Sequence, residues 1–180
     1  MQTACSTLRL HRDVRGEGPP LILLHGLFGS FENLGRIARL LAPDFTVHSL
    51  DLRNHGHSPH ADEMNYALMV ADVLAYMDEQ QLASASILGH SMGGKVAMQL
   101  ALDHPERIDA LVVEDIAPVT YPPHHNDIFT GLQAIDATDI HSRAQADKML
   151  QQTVEELSVR QFLLKNLHRS AQGLFTWRIN

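Results

Sequence analysis

Residues 86–94, Ser86-Ile87-Leu88-Gly89-His90-Ser91-Met92-Gly93-Gly94, constrain this chain more than any other stretch, because the hydrophobic period changes within them. Ser86 to Gly89 read as a short apolar strand, and Val96, Ala97, Leu100 and Ala101 then recur at helical spacing. Ser91 falls on the corner, boxed by Gly89 and Gly93. A turn that sharp strains its central residue, and bulky side chains two positions to either side would clash, hence the glycines. The serine hydroxyl is thereby lifted above the sheet edge at a helix N-terminus, where free N–H groups and the helix dipole favour developing negative charge. A serine N-cap with glycines for close packing is the competing reading. A strand before and a helix after favour a nucleophile.

The rest of the chain repeats the alternation. Strands are expected at 7–14, 21–26, 45–52, 85–89 and 109–116, with helices near 31–42, 66–80 and 92–103. On the 66–80 helix the expected stripe is Leu68, Ala71, Leu74, Ala75 and Asp78. The fold class is therefore α/β, a mostly parallel sheet with helices on both faces. Ligands of such sheets collect beyond the carboxyl ends of the strands. "HGLFGS", "DLRNHGHS", "GHSMGG" and "EDIAPV" all fall there. After Ala117 the character changes to a proline-rich loop and helices near 126–135, 142–152 and 154–168. Residues 1–117 are expected to form the core, 118–170 a helical cap and 171–180 the start of a return to the core.

Bulk properties narrow the function. No apolar run approaches the ~20 residues of a membrane span, and the N-terminus lacks the pattern of a secretory signal. A single cysteine, Cys5, rules out an internal disulfide, so a cytoplasmic protein without membrane partners is expected. A net charge of −7 with interspersed signs argues against nucleic acid. Twelve histidines raise the question of a metal. Neither His55, His57 and His60 nor His124 and His125 carry a carboxylate or cysteine at a familiar ligand spacing, so no metal site and no cofactor are expected.

Attack on a carbonyl creates an oxyanion, and "LLHGLFGS" offers donors for it. The expected pair is the N–H of Leu27 with that of Met92, the residue after Ser91, and Phe28 is the alternative to Leu27. His25, Asp51 and Arg53 read as loop-ordering groups. Phe28, Ile128 and Phe129, with Leu132, offer apolar side chains for an acyl group, although core packing explains them equally well.

In order and spacing, "HGLFGSFENLG", "DLRNHGHS", "NYALMVADV", "LGHSMGGKVAM", "VVEDIAPV" and "RQFLLKNL" resemble the α/β-hydrolase superfamily, and within it the YbfF-type esterases. The resemblance implies hydrolysis of small-molecule acyl esters or thioesters through an acyl-enzyme on Ser91, with Asp115 as the triad acid. Asp115 also stands at the end of a strand read as buried, downstream of Ser91 in the usual order. Family members hold the base, a histidine, after a later strand. The expectation is therefore that the sequence is a fragment of a longer protein, its base beyond residue 180 and strand 109–116 left as a bare edge, and that this chain alone turns over little. A non-catalytic binding module of the same fold is the rival from another class.

Overall fold

The computed structural model describes residues 7–122 and 125–180 and divides into two compact units, residues 1–118 with 180, and residues 119–179. Cys5 and His124 lie outside the described residues. In the first unit, β1 (Arg12–Arg15), β2 (Pro20–Leu24), β3 (Thr46–Leu50), β4 (Ala85–His90) and β5 (Ile108–Glu114) form one sheet in the order β1-β3-β2-β4-β5. Only β1 runs antiparallel to its neighbour, and the other three pairings are parallel. The connections include α1 (Gly35–Leu41), α2 (Tyr66–Glu79) and α3 (Met92–Asp103).

Alternation along β2 divides the core. Ile22 and Leu24 join Val73, Met77, Val96, Ala97 and Leu100 of α2 and α3 on one face. Leu21 and Leu23 join Leu34, Ala38 and Val47 on the other. Strands buried on both faces read as unbroken apolar runs, as "LILL" does. The chain steps from β2 to β3 on one side, then returns to β4 on the other. The carboxyl ends of β2 and β4 thus flank the point where strand order reverses, where open α/β sheets bind their ligands.

Two expectations change. The strand expected at 7–14 begins only at Arg12, because upstream N–H groups go to side chains: Leu8 donates to Asp72 Oδ1 (2.7 Å) and His11 to Ser58 Oγ (2.8 Å). The inward face of α2 is Leu68, Met69, Val70, Asp72, Val73, Tyr76 and Met77, while Asp78 faces solvent. The helix turns a carboxylate inward to meet Arg53, a burial that hydrophobic counting does not register. The strand expected at 109–116 as a bare edge is the outer strand of the sheet, with Leu111 40% and Val112 50% exposed.

The second unit holds α4 (Asn126–Gln133), α5 (Arg143–Leu150), α6 (Leu157–Leu164) and a hairpin of β6 (Leu167–Arg169) with β7 (Phe175–Trp177). Its buried residues include Ile140, Ala146, Leu150, Leu163, Leu167 and Phe175. Arg160 pins α6 to α5 through Asp147 Oδ1 (2.8 Å) and donates to the Val154 and Glu155 carbonyls. Residues 175–177, within the stretch 171–180 expected to start a return to the core, pair with 167–169. A turn closed by Gly173 N–H to the Ser170 carbonyl (2.9 Å), with Gly173 at φ 87°, reverses the chain. Among the described residues no helix is long and apolar enough to cross a membrane.

Candidate active site

Ser91 stands between β4 and α3 with φ 51° and ψ −115°, a conformation that L-residues rarely adopt. Its N–H donates to the Glu114 carbonyl (2.9 Å), which continues the β4–β5 ladder through the corner. The glycines are sterically required. A Cβ on Gly93 would collide with the Leu24 and His25 carbonyls, and one on Gly89 with the Gly93 backbone. A Cβ on Gly26 would stand 3.3 Å from Ser91 Cβ, so the turn after β2 lies directly against the elbow. Of the five non-glycine residues with positive φ among those described, Phe28, Asn54, Ser91 and Asp115 follow the carboxyl ends of β2, β3, β4 and β5. Strain of this kind, ~1–3 kcal/mol per residue, concentrates at functional sites.

The turn after β2 is closed by Gly29 N–H to the Gly26 carbonyl (3.0 Å), with Phe28 at φ 60°. The Phe28 N–H donates to His55 Nε2 (3.2 Å). Among the described residues, no hydrogen bond engages the N–H of Leu27. Met92 opens α3, and the first N–H groups of a helix have no carbonyl partner within it. Phe28 is buried at 7% exposure and belongs to the packing of its loop. Ile128 and Phe129 lie on α4 of the second unit, where Phe129 is exposed.

Two buried histidines lace these loops together. His25 Nδ1 donates to the Gly26 carbonyl (2.8 Å) and its Nε2 accepts the Leu52 N–H (3.0 Å). His55 Nδ1 donates to the Arg53 carbonyl (2.8 Å) while its Nε2 serves Phe28. Both bonding patterns require a neutral ring. Burial, helped by the neighbouring His55, lowers the pKa of His25 to about 4. The unfolded chain takes up this proton near pH 6.5 and the folded one only near pH 4, so the His25 contribution is complete above pH 6.5 and is lost as pH falls toward 4. The loss expected is on the order of 3 kcal/mol. Urea unfolding at pH 7.5 and 4.5 should show a drop in stability that His25→Asn reduces by about that amount.

Arg53 and Asp72, both buried, form a bidentate pair with Nε–Oδ2 at 2.7 Å and Nη2–Oδ1 at 2.8 Å. Asp51, fully buried, accepts the Phe31 N–H at Oδ1 (2.7 Å) and the His57 N–H at Oδ2 (2.8 Å). Both residues therefore order loops. Asp115 follows β5 with its carboxylate 84% exposed, and His90 Nε2 lies 3.8 Å from its Oδ2.

Residues 19–162 match the family described as the alpha/beta hydrolase fold. The chain belongs to the α/β-hydrolase family. It is 45% identical to esterase YbfF of Escherichia coli over 162 residues, 89% of this chain and 62% of that protein. It is 44% identical to the sn-1-specific diacylglycerol lipase ABHD11 of Xenopus laevis over 174 residues, 91% of this chain and 54% of that protein. A solved marine microorganism esterase superposes with a TM-score of 0.93 at 41% identity, covering 97% of this chain and 69% of that one. The chain thus spans little more than half the length of the curated relatives it matches. For an α/β-hydrolase, the serine corner of Ser91 is the expected place of a nucleophile.

Proposed function

We propose that the protein is a serine hydrolase that cleaves short-to-medium acyl esters through an acyl-enzyme on Ser91. One observation carries the reading: a strained serine at the strand-order switch point, held at the N-terminus of α3 against the turn after β2. The esterase and lipase names of its relatives agree with it.

In this reading Ser91 Oγ attacks the ester carbonyl carbon and its proton passes to a general base. The carbonyl oxygen becomes an oxyanion held by the Leu27 and Met92 N–H groups. Leu27 is preferred to Phe28 because the Phe28 N–H already serves His55. Collapse of the tetrahedral intermediate expels the alcohol, which takes the proton, and water then releases the acid by the same steps in reverse order. Asp115 is the residue that orients the base, and its exposed carboxylate is free to accept a hydrogen bond from it.

A fluorophosphonate probe should transfer its phosphonyl group to the peptide carrying Ser91, with loss of fluoride, competitively with p-nitrophenyl butyrate. Labelling elsewhere, or none in a preparation that hydrolyses the ester, would refute the assignment. Parallel assays with an acyl-thioester of equal chain length separate esterase from thioesterase.

A further inference from the structure

We propose that His11, Asp51 and His57 form a binding site for one borderline divalent transition metal ion of the zinc class, outside the acyl-transfer machinery. His11 precedes β1, Asp51 follows β3 and His57 lies in the loop beyond it, and one ligand atom from each falls within 4.8 Å of the others. Asp51 Oδ2 is 3.1 Å from His11 Nδ1 and 3.5 Å from His57 Nδ1. Ligand atoms about 2.1 Å from a tetrahedral ion stand roughly 3.3 Å apart, and the two separations bracket that edge. Two imidazoles and one carboxylate are the donor set of zinc and its neighbours, whereas calcium and magnesium take oxygen shells.

The site is held in place before any ion arrives. Pairing of Arg12 with Leu50 sets His11 beside Asp51, whose N–H donates to the His11 carbonyl (3.0 Å). Ser58 ties both, accepting the His11 N–H (2.8 Å) and donating to the Asp51 carbonyl (2.6 Å). The second carboxylate oxygen is oriented by the Phe31 N–H, the kind of outer support that metal ligands generally have. Gly56, at φ 58°, lets the loop close over Asp51, because a Cβ there would collide with the carboxylate. The His11 and His57 side chains remain 37% and 41% exposed, so an ion can reach them and water can fill the remaining positions. A modest rotation of these two rings completes the trio. In the metal-bound form His11 is the neutral Nε2–H tautomer, its Nδ1 lone pair facing the ion.

The test titrates Zn²⁺ into the purified chain against a chromophoric zinc indicator, with Co²⁺ absorption as an independent report of coordination. One equivalent is expected to bind. Either His11→Ala or His57→Ala should weaken binding at least about 10-fold and remove the Co²⁺ signature, whereas His60→Ala, outside the trio, should leave both unchanged. Both test substitutions fall on partly exposed side chains, and circular dichroism checks that the fold is kept. Mg²⁺ in excess should not compete. Equal Zn²⁺ affinity in the His11→Ala/His57→Ala double variant, or loss of binding with His60→Ala, would overturn the proposal.

Discussion

With its general base in place, Ser91→Ala is expected to abolish ester hydrolysis, lowering kcat for p-nitrophenyl butyrate by about 10⁴–10⁶-fold, the scale on which loss of a nucleophile is felt in serine hydrolases. The residual rate reflects whatever the N–H donors and binding supply alone. Circular dichroism and thermal unfolding should show the fold retained, since the Ser91 N–H still reaches the Glu114 carbonyl and Gly89 and Gly93 still admit the corner. Ser91→Gly removes the same hydroxyl but also relieves φ 51°, so it should be more stable than Ser91→Ala by about 1 kcal/mol while being equally inactive. Stability and activity would thus move apart at one position, as a strained nucleophile requires. A Ser91→Ala protein hydrolysing the ester within 10-fold of the parent rate would refute the acyl-enzyme reading.

Asp72→Ala should cost about 3–5 kcal/mol, the largest loss of stability expected from a single substitution outside the serine corner. It leaves the buried Arg53 guanidinium without its bidentate partner and the Leu8 N–H without an acceptor. Arg53 still donates Nη1 to the Glu63 carbonyl (3.0 Å). The double replacement Arg53→Met/Asp72→Leu removes both charges and should cost less than Asp72→Ala alone, because desolvation of two ions is avoided. Chemical unfolding of the parent, Arg53→Met, Asp72→Leu and the double variant closes the cycle. Additive losses would mean that the pair is not coupled in the folded state.

Legibility in the sequence follows the range of the interaction. The corner at Ser91 is read correctly because its causes lie within five residues: the strand run, the two glycines and the change of period. The same holds for α2, whose start at Tyr66 is marked by Asn65, with its side chain accepting the Leu68 N–H (2.9 Å). Its end is read correctly as well, but its inward face is not. Asp72 faces the core because Arg53 awaits it there, and nothing near residue 72 announces an arginine 19 positions earlier. Histidine spacing likewise misses the His11–Asp51–His57 trio. The loop motif "DLRNHGHS" holds Asp51 and His57, and His11 is brought beside them by the antiparallel pairing of β1 with β3. The signal that was available was the clustering of polar residues beyond strand ends, which locates the edge but not the partners.

From the sequence alone came the α/β class, the serine corner and its glycines, and the sheet edge at which chemistry gathers, since period and steric exclusion act over a few residues. Tertiary structure alone decided which N–H groups remain available after His25 and His55 have taken theirs, which charges are buried together, and that the last strand pairs locally with residues 167–169. These outcomes depend on strand order and on which side chain reaches which. Chain folding brings such groups together across tens of residues, and their pairing is settled by burial and hydrogen bonding in three dimensions rather than by spacing along the chain.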